Sequence, residues 1–310
     1  MEKSSGNISH LIKRRAQELG FLDCGISEVH FLKEEEDRLR RWLQAEMNGE
    51  MNYMENNLEK RLNPGLLVEN AKSVISVLLN YFPVVGQSDP DAPVLSKYAY
   101  GVDYHFVMKD KLAELLHFLQ TEIAPCEGRC FVDSAPVLDR AWAACAGLGW
   151  IGKNTNLISP EHGSFFFIGE LIVDLELPAD EKVVRNHCGN CTRCIDACPT
   201  KAIIEPYVLD ARKCISYQTI ENKGKIDPEL KGKFKNRMFG CDICQDVCPW
   251  NLKSVPHLEP AFVANESVLK MKKEEWFSLD KATFNKLFKK SAVKRAKFEG
   301  LKRNLDFLAE

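Results

Sequence analysis

The chain has 310 residues, of which 45% are hydrophobic and 28% charged, with a formal net charge of -2. That length favours two units over one, and the composition is that of a folded globular protein rather than a disordered one. The near-neutral balance removes any global attraction to nucleic acid, so such a partner would have to meet a local basic face. The opening stretch MEKSSGNISHLIKRR carries charges where a secretory signal needs an apolar core. Apolar runs such as residues 74–79 fall far short of the ~20 residues a bilayer span requires. No targeting peptide and no membrane partner are expected, and the expected location is cytoplasmic.

In chain order, Ile8, Leu11, Ile12, Ala16 and Leu19 recur at helical spacing and stop at Gly20, which predicts an opening amphipathic helix. Residues 74–81 (VISVLLNY) read as a buried strand. Residues 106–120 read as a helix with Leu112, Leu115, Leu116 and Leu119 on one side, and residues 137–146 as another. Residues 156–159 and 165–173 flank the sequence PEHG and predict a hairpin or a pair of neighbouring strands. The topology of this mixed half does not follow from pattern alone. From about residue 180 the chain turns to short segments punctuated by Cys, Pro and Gly, and its last forty residues are basic and helical in pattern.

Twelve cysteines are present, eight of them between Cys188 and Cys248. In a long chain without a signal, clustered cysteines point to metal ligation rather than disulfides. Residues 188–199 read C-x2-C-x2-C-x3-C-P, the spacing of a bacterial ferredoxin, in which three close thiolates serve one cubane and the fourth serves the other. Residues 241–249 repeat the end of that motif, and Cys214 stands alone upstream. The expected sets are therefore Cys188, Cys191, Cys194 and Cys248 for one [4Fe–4S] cluster, and Cys198, Cys214, Cys241 and Cys244 for the other. Structural zinc is the competing reading of paired C-x2-C, and two blocks ending in x3-C-P fit a cubane pair better. Cys24 and Cys145 read as packing residues; Cys126 and Cys130 are either the same or a separate metal pair.

Residues 147–152 (GLGWIG) match the dinucleotide pattern GxGxxG, but they follow a predicted helix rather than a strand. A phosphate-binding loop fails too, because Asn154 stands where Ser or Thr would reach magnesium. The glycines still imply close approach of the backbone to another segment or to a flat cofactor. Asp133, at the end of a short apolar stretch, is a turn former or helix cap, or else a general acid whose pKa burial would raise. Tyr98, Asp103, Tyr104 and His105 form a polar aromatic cluster in which His105 reads as a structural hydrogen-bonding residue.

Taken together, residues 97–105, 132–143, 147–170, 188–203, 209–221 and 239–251 resemble the epoxyqueuosine reductase family, as do residues 292–304 beyond them. The resemblance implies an α+β protein. Its N-terminal α/β cobalamin-binding domain (residues 1–178) would resemble cobalamin-processing proteins, followed by a ferredoxin-like two-cluster module (179–258) and a short basic helical C-terminus (259–310). It implies reduction of epoxyqueuosine to queuosine at the wobble position of tRNA, with electrons relayed by two [4Fe–4S] clusters to cobalamin. Asp133 takes the position of the family's proton donor, and Arg61, Lys97, Asn156, Ser216, Cys241 and Asp242 are the expected cofactor neighbours beside it. Many relatives carry a further C-terminal helical-repeat extension that helps to hold tRNA. Here Lys223, Lys225, Lys231 and Lys233, with the basic residues near the end, are the expected tRNA contacts. An external single-electron donor and a monomeric state are expected. Two rival readings remain: a cobalamin-dependent reductase of a small molecule, of the reductive dehalogenase kind, and a plain electron carrier.

Overall fold

The computed structural model describes residues 5–180 and 184–309. Helix α1 (Ser5–Glu18) ends before Gly20, whose φ of 88° is open to glycine at little cost. Strands β1 (Asp23–Glu28), β2 (Ser73–Asn80), β3 (Gly128–Phe131) and β6 (Phe166–Val173) form one antiparallel sheet in the order β1-β2-β6-β3. Between β3 and β6, a two-residue pair is formed by β4 (Trp150–Ile151) and β5 (Leu157–Ile158).

The two central strands read as nearly continuous apolar runs because both of their faces are covered. On one face Ile75, Val77, Phe167, Leu171 and Val173 pack on Ile12 and Ala16 of α1 and on helix α2 (Tyr104–Phe118). Helix α2 starts where the Asp103 side chain accepts from the His105 amide, and it places Met108, Leu112 and Leu115 on the sheet at full burial. Each such side chain contributes about 1.5–3 kcal/mol by leaving water. On the other face, helix α3 (Asp139–Cys145) lays Trp142 and Ala143 over Val74, Leu78, Phe131 and Ile172. The predicted helices over 106–120 and 137–146 and the strand over 74–81 are thus present, with edges moved by a few residues. Cys24 is buried as expected of a packing residue, whereas Cys145, at the end of α3, is exposed.

The predicted pairing across PEHG is not formed. Strand β5 turns back onto β4, while β6 bonds β2 and β3, and only a single bridge joins Ser159 to Gly163. The same pairing explains the glycines at 147–152. A Cβ on Gly149 would lie 2.3 Å from the Ile158 carbonyl oxygen, so the close approach is to another backbone segment.

The cluster-bearing segment follows, and residues 94–95 pair in parallel with residues 237–239. Around this join, Leu95, Ala99, Met238 and Phe239 share a core with Trp276, Phe284, Phe288, Leu301 and Leu305 of the C-terminal helices. Asn304, fully buried, donates to the carbonyls of Thr219 (2.8 Å) and Met238 (2.9 Å) and ties the last helix, Lys297–Ala309, to this core. Among the described residues no helix is long and apolar enough to cross a membrane.

Gly149→Ala should force the β4–β5 pair apart at a cost of about 1–3 kcal/mol, the usual penalty of overpacking. A lowered urea midpoint at unchanged slope is the expected result.

Candidate active site and cluster ligands

Cys194 lies on helix α4 (Arg193–Ala197), with Cys198 just beyond it, and Cys244 on helix α5 (Ile243–Asp246), with Cys241 and Cys248 on either side. The prolines after Cys198 and Cys248 stop each helix, and the two helices pack together. Cys214 precedes the helix Ile215–Ile220.

The electrostatics show which thiols lie near one another. Burial first, then the charges of Cys188 and Cys248, pushes the Cys194 thiol up. Burial and the charges of Cys188 and Cys191 do the same to Cys248. Cys241 is pushed up to about 12 by burial and then by Cys214; burial and Cys198 raise Cys214. Cys244, half-buried, feels Cys214, Cys241, Cys194 and Cys198. The eight thiols thus gather in one region, with Cys194 and Cys244 adjoining across it. Partly buried thiols that repel one another are stabilised as thiolates by bound iron, so these donors fit iron–sulfur clusters. Among the described residues no three His, Cys, Asp or Glu side chains converge tightly enough for one metal ion. A cubane, which takes one thiolate per iron, spreads its ligands more widely than a single zinc does.

The glycine loop abuts this centre. Lys153 Nζ donates to the carbonyls of Gly189 (2.6 Å) and Cys191 (3.1 Å), and Asn154 Nδ2 donates to that of Cys244 (3.4 Å). Asn156 Nδ2 lies 4.0 Å from Cys244 Sγ.

On the sheet side, Asp133 follows β3 with a φ of 49°, a left-handed conformation uncommon for a residue other than glycine. Its side chain is 60% exposed, so the burial expected of a general acid is not found. What holds it is a hydrogen bond from the Tyr104 hydroxyl to Oδ2. His105 Nε2 stands 3.9 Å from the same oxygen, while its Nδ1 meets Asp103 Oδ1 at 2.8 Å. Burial opposes ionisation of Asp103, but the hydrogen bonds from His105 outweigh it and keep the carboxyl low. Tyr104 stacks on Phe167 at 4.0 Å, and burial and the Asp133 charge push its phenol far up, so it stays a donor.

The remaining expected cofactor neighbours lie on two sides of this acid. Arg61 is 7% exposed; its Nη2 donates to the Tyr53 carbonyl at 2.7 Å, and its Nε is buried without a partner. The Tyr53 phenol, raised first by burial, also feels Glu221, Asp133, Arg295 and Arg61. Across the site, Asp242 is buried and accepts from Ser96 Oγ (2.5 Å) and the Lys97 amide (2.9 Å), while Lys97 Nζ pairs with Asp246. Half-buried Tyr98 feels both Asp133 and Asp242, which places it between Asp133 and the cysteine-bearing segment. Ser216 is half-buried two residues after Cys214. Lys223, Lys225, Lys231 and Lys233 are exposed; burial and then neighbouring Arg295, Arg303 and Lys297 lower Lys223, which marks a basic patch.

Sequence reasoning missed the Tyr104 contact, although the cluster KYAYGVDYHF was its signal. It also missed Asp139 and Glu170. Glu170 is 0% exposed on β6, opposite Phe131, and neither carboxyl oxygen reaches a hydrogen-bond partner. Burial and the Asp139 charge raise it well above its ordinary value. Asp139, on the first turn of α3, is pushed up to about 7 by burial and then by Asp133. A lone Glu inside FFFIGELIV was the available signal.

Eight thiols gathered in one region, joined through Tyr98 to the Asp133 carboxyl held by Tyr104, define a protein of the iron–sulfur class. A relative from Cellulophaga algicola, an epoxyqueuosine reductase, is 58% identical over 97% of this chain and 97% of its own. The chain belongs to the epoxyqueuosine reductase family. Residues 187–251 match a 4Fe-4S double cluster binding domain, and residues 61–134 match the family model described as epoxyqueuosine reductase QueG, DUF1730. An epoxyqueuosine reductase solved with a tRNA-Tyr epoxyqueuosine-modified stem loop superposes with a TM-score of 0.90 at 29% identity, covering 98% of this chain and 81% of that one. The Bacillus subtilis enzyme, solved with an aspartate catalytic loop swung out of the active site, gives 0.86 at 28% identity, covering 98% and 82%.

Two outcomes are expected. Cys194→Ala and Cys248→Ala should remove the same cluster, singly or together, whereas Cys194→Ala with Cys244→Ala should remove both; iron and sulfide content with electron paramagnetic resonance reads this. Glu170 carries a folded pKa above its ordinary 4.5, so the stability it contributes is full below that value and lost as pH rises through the folded pKa. Glu170→Gln cannot ionise, so its urea midpoint should overtake that of the wild type as pH rises, with the difference closing at about pH 4.

Proposed function

We propose that this chain reduces epoxyqueuosine in tRNA to queuosine, with two [4Fe–4S] clusters and cobalamin as cofactors. The observation that carries the reading is Asp133, held by Tyr104 and joined through Tyr98 to the segment that bears Cys241 and Cys244. Its support from relatives is that a family member is solved with an epoxyqueuosine-modified tRNA stem loop and another with its aspartate catalytic loop swung out of the active site.

A bound cobalamin supplies low-potential chemistry for cleaving a carbon–oxygen bond, which side chains lack. Arg61, with its unpartnered buried Nε, fits a polar-rimmed cofactor, as do Lys97, Asn156, Ser216 and the backbone at Cys241 and Asp242. The Asp242 carboxylate itself is committed to Ser96 and Lys97, so its part is to set that backbone.

Net reduction of the epoxide to the alkene takes two electrons and two protons and releases water. An epoxide oxygen is a poor leaving group until it is protonated, and Asp133 is the acid placed to do this. Tyr104 fixes the carboxyl, while Asp103 orients His105 beside it. Single electrons from an external donor pass through the two cysteine sets. Lys223, Lys225, Lys231 and Lys233 provide phosphate contacts whose strength falls with salt. On this reading residues 1–178 form the catalytic unit, 179–258 the cluster unit and 259–310 a basic helical unit of a cytoplasmic monomer.

Anaerobic turnover of epoxyqueuosine-containing tRNA by reconstituted protein tests the reading. Product should require cobalamin, and Asp133→Ala should slow it about 10²-fold or more, the contribution of a placed acid. No product from protein with intact clusters and bound corrin would favour a small-molecule reductase instead.

A further inference from the structure

The reaction consumes two protons, and Asp133 carries one. Behind it the sheet holds two more carboxyls that the mechanism above does not use. Glu170 sits on β6 directly opposite Phe131, and Asp133 lies two residues beyond Phe131 along the same chain. Asp139 comes down from α3, the helix packed on that face of the sheet.

We propose that Glu170 and Asp139 together store the second proton of the reaction and return it to Asp133 once Asp133 has discharged. The inference rests on the epoxide-reducing function proposed above. Three observations support it. Glu170 is fully buried in surroundings that include Phe131, Ile172 and Trp142, where an ionised carboxylate without a partner costs several kcal/mol, so it stays protonated.

The cations nearest the pair are engaged elsewhere. Arg61 donates to the Tyr53 carbonyl, and Arg140 donates to the Thr155 carbonyl and hydroxyl. Asp139 and Glu170 each feel the other and the charge of Asp133, so these two carboxyls titrate as a pair. Neither Glu170 oxygen reaches standard hydrogen-bond geometry, so burial and mutual charge, rather than a formed bond, act between the pair. The groups facing them are Asp133 from its loop, Arg140 on α3 and Arg61 from residues 58–62.

The balance closes. Two electrons arrive singly through the clusters. The first proton leaves Asp133 for the epoxide oxygen as one carbon–oxygen bond breaks. The pair gives a proton to Asp133, which passes it to the departing hydroxyl as the second carbon–oxygen bond breaks, leaving alkene and water. Solvent later restores the proton to the pair.

Glu170 and Asp139 are positioning residues by this account, because they act through Asp133. The first test needs neither substrate nor corrin. Infrared difference spectra of the cluster-loaded protein, titrated across neutral pH, should show a protonated-carboxyl band that is lost in Glu170→Gln and shifted in Asp133→Asn. The second uses the holoenzyme. Glu170→Gln and Asp139→Asn should lower kcat about 10²-fold, the low end for placed acids, at unchanged KM for tRNA. Small carboxylic acids added to the medium should restore part of that rate, which a merely structural defect would not allow. An active wild type whose Glu170→Gln variant keeps the same kcat and pH profile, or lacks no infrared band, overturns the store. An inactive wild type with the band present would instead count against the epoxide-reducing function alone.

Discussion

The meeting of the two ferredoxin-like cysteine blocks is the constraint on which the rest of the structure depends. In one set Cys198 of the first block lies near Cys214 and Cys244, and in the other Cys248 of the second block lies near Cys188 and Cys191. Neither set is complete until residues 199–240 have looped out and returned, so α4 and α5 must pack against each other. Closing such a loop has an entropic cost that the metal-binding energy offsets only when the return path is itself anchored. The anchors are visible: Asn304 and Arg303 grip the carbonyls of Gln218, Thr219 and Asn222, and residues 237–239 pair with 94–95. The C-terminal helices thus have a mechanical task beyond their charge.

The pairing at 94–95 carries the constraint into the first half of the chain. Next to it, Ser96 and the Lys97 amide both bind the Asp242 carboxylate, so the turn carrying Lys97 and Tyr98 is set by the residue after a cluster ligand. Tyr98 meets Phe239 on one side and Tyr104 on the other, at ring separations of 6.1 and 6.3 Å. Tyr104 holds Asp133. A run of contacts therefore leads from cluster ligand to acid with no flexible segment between, and placement of the acid inherits the precision of the cluster module.

How far this was legible in the sequence differs by residue for physical reasons. The cysteine sets were readable because covalent ligation imposes local spacing that nothing else in the chain needs. The helix over 106–120 was readable because one apolar face repeats over several turns. Asp133 was reached through resemblance, and the burial first attached to it was wrong: a left-handed φ turns the residue out of the sheet's edge into the open. The expected hairpin failed because residues 157–158 found their partner seven residues back, at 150–151, where glycines allow close backbone approach. Glu170 shows itself as a lone acid in an apolar run, but its partners do not. They are set by cross-strand register and by a helix far back in the chain, and neither leaves a trace in local pattern.

An acid that must reach a substrate has to be exposed, and exposure leaves it loosely held. On the proposed reading the structure meets the conflict by burying neighbours of the acid rather than the acid itself: Tyr104 stacked on Phe167, and Glu170 under α3. The same helix reaches the cluster side. Arg140, next to Asp139, binds the Thr155 carbonyl, and Thr155 is held at a φ of 66° within the loop that sets Lys153, Asn154 and Asn156 against the cluster cysteines. Helix α3 therefore touches both halves of the chemistry. A displacement of that loop would move Arg140, and with it the end of the helix that carries Asp139. On the proposed reading, electron entry and proton supply are built on one short element, so neither is repositioned without the other.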